Sequence, residues 1–127
     1  GTGAVQSGDG IGSVFCEGWT GSAFASAGQL RCVATENWTG SANGCRWDIY
    51  TVANGTTTHS VKVRIDHDGS LLFDPAGNAF KMFWGTATPE GNVVANPGSQ
   101  YMRNNAGTGE FWIKTTGTGN TGWTKVI

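Results

Sequence analysis

The clearest pattern of hydrophobic and polar positions lies between residues 61 and 73. Apolar residues occupy alternate positions on both sides of a polar segment: Val61, Val63, Ile65, Leu71 and Phe73. A period of two with one apolar face is typical of β-strands. The polar segment, Asp66-His67-Asp68-Gly69, is rich in turn formers, because Asp bonds its own backbone and Gly accepts a positive φ. The pattern therefore predicts a strand, a turn and a second strand.

Short alternating segments separated by turn-forming residues recur along the chain. The longest predicted strand covers 45–52 and sets Trp47 and Asp48 on opposite faces. Asn54-Gly55 after it is a strong hairpin-turn signal. Further strands are predicted at 11–15, 30–35, 92–95, 100–103, 110–114 and 123–127, with turns at 18–22, 74–78 and 96–99 and a polar loop at 36–44. No segment has the caps and the 3.6-residue period of a helix, although the alanines of 22–29 leave room for one short helix.

This spacing of strands predicts an all-β chain of short antiparallel strands in a sandwich- or prism-like module. We expect a shaft-like or globular module over 1–84 and a smaller closing module over 85–127. The 21 glycines and few charged residues fit many tight turns. A chain of 127 residues buries a modest core, and short strands leave exposed edges. An intertwined oligomer would cover those edges and share a core among its copies.

Charge and cysteine content exclude several classes of protein. The net charge is −1 and no basic run interleaves with aromatic residues, so we expect no nucleic-acid partner. The longest apolar runs are a few residues, so we expect no membrane insertion, and the first residues do not resemble a signal peptide. Cys16, Cys32 and Cys45 form no CxxC pair, which argues against zinc. Each Cys lies in an apolar alternating run, so we expect three buried, reduced thiols, which fit folding in a reducing cytosol, and one disulfide with a free thiol remains the alternative.

Two segments carry a resemblance to a known family. Segment 11–24, with its Gly18-Trp19-Thr20-Gly21 turn, and the Arg64-Ile65-Asp66 strand end resemble shaft modules of bacteriophage tail fibres and tailspikes. The run Gly-Thr-Gly-Asn-Thr-Gly-Trp at 117–123, with the preceding 96–103, is similar to a closing segment of the same proteins. Segment 71–74 differs from many relatives, which have a glycine-rich run there and then a self-cleaving chaperone domain. Residues 86–127 do not resemble such a chaperone domain.

The resemblance implies an intertwined parallel homotrimer in the virion tail, made in the host cytoplasm. Its implied partners are two other copies of the chain, upstream tail-fibre segments, and host cell-surface polysaccharide or lipopolysaccharide. We therefore expect a structural and host-receptor-binding distal part of a tail fibre or tailspike. A trimerisation and folding clamp without a ligand, and a carbohydrate-binding module of a secreted enzyme, remain as alternatives.

The aromatic residues supply the candidate ligand site. Flat side chains on loops stack against the apolar faces of sugars, while polar neighbours bond the hydroxyls. Trp38, with Glu36 and Asn37, fits this description, and further candidates are Trp19, Tyr101 and Arg103. Packing between chains is the alternative for Trp38, and an ion pair with Glu110 is the alternative for Arg103. The residues assigned to the trimer interface or core are Val61, Val63, Ile65, Leu71, Phe73, Trp47, Phe111 and Trp123.

No catalytic residue, metal or cofactor is predicted. The spacing of the nine carboxylates selects no glycosidase pair. Asp66-x-Asp68-Gly69 resembles the start of a calcium loop, but no Glu stands at the twelfth position. His59 and His67 are accompanied by no GxSxG nucleophile motif. We therefore expect a protein that is not an enzyme.

Overall fold

The structure is a computed structural model that describes residues 3–75 and 79–127. Those residues form nine β-strands and no helix, which confirms the all-β class, and no helix in them could span a membrane. The turn predicted at 74–78 lies partly outside the described residues. The strands are β1 (Gly10–Trp19), β2 (Phe24–Ala34), β3 (Cys45–Val52), β4 (His59–Ile65), β5 (Leu71–Phe73), β6 (Phe80–Gly85), β7 (Gln100–Asn105), β8 (Thr108–Lys114) and β9 (Trp123–Lys125).

The chain divides into two compact units, Gly1–Asp68 and Gly69–Ile127. The sequence predicted two parts with the boundary after residue 84. The structural boundary lies earlier because β6 pairs with β7, and β5 pairs with β6. Strands β1 to β4 therefore form the first unit, and strands β5 to β9 form the second.

The first unit is an antiparallel meander of β1 to β4 in chain order. Strand β3 occupies the predicted range, and Gly55, with a φ of 78°, lies in the predicted Asn-Gly turn after it. The short helix that segment 22–29 allowed is not formed. That segment lies in the turn and the first half of β2, because strand pairing with β1 outweighs the helix propensity of its alanines.

The two faces of this meander differ in chemistry. Residues paired across neighbouring antiparallel strands point to the same side, so the register assigns each side chain to a face. One side, the apolar face, carries two cross-strand rows: Val14, Leu30, Ile49 and Val63, and then Cys32, Trp47 and Ile65. The other side, the polar face, carries the row Ser13, Arg31, Asp48 and Arg64.

In a sheet the apolar side chains are usually buried and the charged ones exposed. The middle of β3 shows the reverse. Trp47 and Ile49 on the apolar face are exposed, whereas Asp48 on the polar face is 1% exposed. Asp48 is buried under its own ion pairs, since Arg46 Nε donates to Oδ2 at 3.2 Å and Arg64 Nε donates to Oδ1 at 2.6 Å. The middle of the apolar face therefore leaves large apolar side chains in contact with water.

Val61 does not share a face with Val63, as the sequence had predicted. Val63 pairs with Ile49, but Val61 pairs with Tyr50, so the ladder skips Lys62. Ile49 and Tyr50 are neighbours on β3 and point to opposite faces, so their partners Val63 and Val61 do as well. The β-bulge thus moves Val61 to the polar face. Val61 is therefore removed from the apolar set, whereas Val63, Ile65 and Trp47 stay in it.

The second unit is a sheet with β6 and β7 parallel and its other neighbouring pairs antiparallel. The connection between β6 and β7 packs on one side, the inner face. The core there contains Ala95, Tyr101 and Trp123, with Phe83, Val93 and Trp112 packed against it. The strand predicted at 92–95 is not formed, because Val93 N donates to Pro89 O at 2.9 Å in a turn. Trp123, assigned from the sequence to interface or core, is a core residue.

The opposite side of the second unit, its outer face, is apolar, and two of its large side chains are exposed. By register it carries Leu71, Phe73, Phe80, Met82, Trp84, Met102, Phe111 and Ile113. Trp84 is 72% exposed and Met102 54%. Phe73 stacks on Phe80 with 4.9 Å between the ring centroids. Three residues assigned to an interface, Leu71, Phe73 and Phe111, lie on this face.

Candidate functional site

The loop at 36–44 uses its predicted ligand residues for its own folding. Trp38 is half-buried, and its Nε1 donates to Gly44 O at 3.1 Å. Glu36 Oε1 accepts from Gly44 N at 2.6 Å, and Asn37 Oδ1 accepts from Ser7 N at 2.9 Å. These contacts close the loop on itself and tie it to the first residues of the unit. The geometry favours a structural role, and ligand binding at this loop stays a prediction.

Tyr101 and Arg103 are also engaged within the chain. Tyr101 is 3% exposed, and its hydroxyl donates to Ala87 O at 3.0 Å. Burial raises the pKa of Tyr101 above its ordinary value. No ring face of Tyr101 is open to a sugar, so its assignment to a ligand site is corrected to the core. Arg103 donates to Thr86 O at 2.9 Å and to Glu110 Oε2 at 3.0 Å, which is the alternative that the sequence left open.

Glu110 is the centre of a polar cluster on the inner face. Its carboxylate accepts from Lys125 Nζ and Arg103 Nη1 at 3.0 Å each, from Trp112 Nε1 at 3.1 Å and from Asn105 Nδ2 at 3.3 Å. The bond from Lys125 is the largest cause that lowers the pKa of Glu110 to about 2, against the opposing effect of burial. A carboxylate held ionised by two cations and two neutral donors is suited to holding strands β7, β8 and β9 together. It is not suited to proton transfer near neutral pH.

A different group of residues converges at the ends of the two hairpins of the first unit. The tip of the β1–β2 hairpin and the turn between β3 and β4 enclose an open concavity of about 650 Å³. Trp19 ends β1 and Phe24 begins β2, and their rings meet edge to face with centroids 5.3 Å apart. Trp19 is 62% exposed and Phe24 71%. Ligand-binding clefts have volumes of this order.

The tip that presents Trp19 is held by a compact set of bonds. Thr20 N and Thr20 Oγ1 both donate to Ala23 O at 2.9 Å, and Ala23 N donates back to Thr20 Oγ1 at 3.2 Å. Gly21 has a φ of 100°, which a residue with a side chain rarely adopts. The tight turn predicted at 18–22 therefore fixes the direction of the aromatic pair.

Trp19 differs from three other tryptophans in whether its indole N–H group has a hydrogen-bond acceptor. Trp38, Trp112 and Trp123 each donate their Nε1–H to an acceptor within the chain. Within the described residues, Trp19, Trp47 and Trp84 have no such acceptor. Trp47 lies on the apolar face, and Trp84 lines a smaller concavity of about 410 Å³ together with Arg103 and Asn104. Trp19 combines its free donor with the larger concavity at the hairpin tips.

The described residues bring no three His, Cys, Asp or Glu side chains into a cluster that could hold a metal ion. The Asp66–Gly69 segment is a turn, with Gly69 at a φ of 80° and Asp66 Oδ1 accepting from His67 N at 3.0 Å. The three cysteines are free thiols, as predicted, but the predicted burial holds for Cys32 and not for Cys16, which is exposed on β1. Burial, followed by a hydrogen bond with Cys45, raises the pKa of Cys32.

No protein-family model matches this chain, and no curated protein sequence matches it. Of the predicted ligand residues, only Trp19 lies in the concavity at the hairpin tips. The sequence did not identify Phe24, Asn54, Thr57 or His59 as its companions. The topology could have indicated them. In an antiparallel meander, the β1–β2 turn at 18–22 and the β3–β4 turn at 53–56 lie at the same end of the sheet.

Proposed function

We propose that this chain is a structural and host-receptor-binding distal part of a phage tail fibre or tailspike, assembled as a parallel homotrimer and contacting cell-surface polysaccharide or lipopolysaccharide. One observation carries the assembly: the first unit is a single sheet that exposes Trp47 and Ile49 on its apolar face while Asp48 is buried on its polar face. A sheet needs a second layer over its apolar face. We infer that two further copies supply that layer in a prism-like arrangement and that the trimer belongs to the virion tail.

The gain from covering the apolar face is large enough to drive assembly. Five of its residues are at least 40% exposed: Val14, Leu30, Trp47, Ile49 and Ile65. Burying the exposed part of each contributes on the order of 1 kcal/mol, which makes roughly 5 kcal/mol per chain from the first unit. The outer face of the second unit, with Trp84 and Met102, adds to this sum. Three chains joined in this way would also present any weak ligand site three times and gain avidity.

Oligomeric mass tests the assembly. Light scattering of the purified chain should give about 40 kDa, three times the 13.3 kDa of one chain. Ile49→Lys puts a charge on the apolar face and should give monomers. Phe15→Lys puts the same charge at an exposed position of the polar face and should leave the trimer intact. A native chain that stays monomeric at all accessible concentrations would refute the proposal.

A trimerisation and folding clamp without a ligand is the second candidate. Trp38, Tyr101 and Arg103 favour it, because each commits its polar atoms to partners in its own chain. Binding of the fluorescently labelled trimer to host cells separates the two functions. Saturable binding supports the receptor-binding tip, whereas a trimer that binds no host cell supports the clamp.

A further inference from the structure

We propose that the concavity at the hairpin tips of the first unit binds a neutral oligosaccharide, with Trp19 as the stacking platform. This inference deepens the proposed attachment function, which supplies the reason for a glycan ligand. The site is built from the β1–β2 tip and the β3–β4 turn, both within the first unit. Its lining includes Trp19, Thr20, Ser26, Asn54, Thr57 and His59.

The aromatic part of the site matches one face of a sugar ring. A pyranose presents a flat patch of C–H groups, which packs on an exposed aromatic ring. Phe24 contacts the Trp19 ring edge to face and fixes its orientation, so little side-chain freedom remains to be lost on binding. The bonds of the Thr20–Ala23 turn fix the backbone beneath the pair in the same way.

The polar part of the site matches sugar hydroxyls, which both donate and accept hydrogen bonds. Trp19 Nε1, the Asn54 amide and the Thr57 hydroxyl form no hydrogen bond within the described residues, and all three residues line the concavity. The neighbouring Thr56 hydroxyl, by contrast, is used to close the turn and lies 3.0 Å from Ala53 O. The lining thus offers one donor and two groups that donate and accept.

The charge of the site selects a neutral ligand. Among the residues that the structure describes, no Lys, Arg, Asp or Glu lines the concavity. His59 is the one titratable residue of this described lining, and its Nε2 lies 3.2 Å from Ser26 Oγ. An acidic glycan needs a cation to offset the loss of hydration of its carboxylate or phosphate. The arginines of the first unit that contact Asp48 are not among the lining residues. A hydroxyl-rich neutral sugar is the ligand that this lining can satisfy.

The position of the site is compatible with the proposed trimer. Trp19 pairs with Phe24, and Glu17 pairs with Ser26, so these residues continue the side that carries Ser13 and Arg31. His59 pairs with Val52 on the same side as Val61. The concavity therefore opens on the polar face, opposite the face that we assign to contacts between copies.

Nuclear magnetic resonance titration of the full chain tests the site. The probes are neutral oligosaccharides ending in glucose, galactose, mannose or N-acetylglucosamine, together with sialylated and uronate-containing counterparts. We expect at least one neutral probe to shift the Trp19 indole N–H signal saturably, with a dissociation constant on the order of millimolar. Trp19→Phe identifies that signal by its loss. Raising NaCl from about 50 to about 500 mM should change the affinity less than twofold, because no ion pair is involved.

Variants assign the binding to the concavity. Trp19→Ala should weaken it at least about tenfold, and Thr57→Val, which keeps the shape and removes the hydroxyl, about fivefold. Phe15→Ala removes an exposed aromatic of the same strand and should change nothing. The inference is wrong if no neutral probe binds, if Trp19→Ala binds as well as the native chain, or if only acidic probes bind. Light scattering on the same samples keeps the two proposals apart, since a trimer without sugar binding refutes only the site and a sugar-binding monomer refutes only the trimer.

Discussion

Lys114 is the residue whose replacement most directly tests how the second unit is held together. It ends β8 and is 1% exposed, yet no carboxylate among the described residues pairs with it. Its Nζ instead donates to two backbone carbonyls of the 115–122 loop, Gly119 O at 2.9 Å and Thr121 O. The ammonium also lies 5.8 Å from the centre of the Trp123 ring. The glycine-rich run at the end of the chain is thus wrapped around one buried cation.

The cost of replacing Lys114 by Met follows from these contacts. Each hydrogen bond from a charged donor contributes about 1.5–3 kcal/mol, and the cation–π contact about 0.5–2 kcal/mol. Methionine keeps the volume of the stem and avoids the desolvation of a buried ammonium, which offsets part of the loss. The two carbonyls, however, lose their donor. We expect Lys114→Met to lower the free energy of unfolding by about 2–4 kcal/mol.

Urea unfolding followed by tryptophan fluorescence measures this cost, at one fixed protein concentration because assembly affects apparent stability. Lys125→Met is the matched control: its side chain is 48% exposed and donates to Glu110 Oε1 at the surface of the unit. We expect the control to cost no more than about 1 kcal/mol. Equal costs for the two variants, or a loss below about 0.5 kcal/mol for Lys114→Met, would refute the reasoning.

Three further predictions concern the same chain. Because the pKa of Glu110 is lowered to about 2, its ion pairs stabilise the fold above the ordinary carboxyl pKa of 4.5, and this stability should be lost as pH falls from about 4.5 to about 2. Glu110→Gln should flatten that part of the stability–pH profile, and an unchanged slope would contradict the assignment. Gly122→Ala should cost about 2 kcal/mol or more, since Gly122 has a φ of 89° and a methyl group there would meet Thr116 O. Gly119→Ala, with open space around it, should cost less than about 1 kcal/mol, and a reversed order of the two would count against the loop geometry. In monomeric Ile49→Lys protein, a thiol reagent should modify the exposed Cys16 quickly. It should modify Cys32 slowly, because that thiol is buried and its pKa is raised. Equal rates would show that β2 opens readily.

Local patterns predicted the strands better than their partners. The alternation of 45–52 and the Asn-Gly turn after it needed only neighbouring residues, and both were found where expected. Segment 22–29 was ambiguous because its alanines suit either structure, and only pairing along β1 decides between them. The β-bulge at Lys62 is also set by pairing, since nothing in the alternation of 61–65 announces a skipped residue. Apolar alternation alone therefore placed Val61 on the wrong face.

The candidate site was less predictable, for a related reason. Trp38 and Trp19 both stand in polar, turn-rich segments and look alike in the sequence. The carbonyl of Gly44 takes the indole N–H of Trp38, whereas the indole N–H of Trp19 meets no acceptor within the described residues. Which backbone oxygen is near a given indole depends on how a loop closes. That contact decides between a structural tryptophan and one available to a ligand.

The two faces of the first unit are assigned different roles, one to contacts between copies and the other to sugar binding. Testing both roles together is sharper than testing either proposal alone. Asp48 is buried by arginine side chains on the polar face, while Trp47 and Ile49 on the other side stay in water. In an isolated chain this arrangement leaves apolar area uncovered that a trimer would bury. The sugar site uses the opposite face, so interface and ligand contacts involve different residues. Ile49→Lys should therefore abolish the trimer while each monomer keeps its affinity for a soluble oligosaccharide, and Trp19→Ala should do the reverse. Loss of both properties in both variants would mean that the two faces are coupled, and the separate assignment of interface and site would fail.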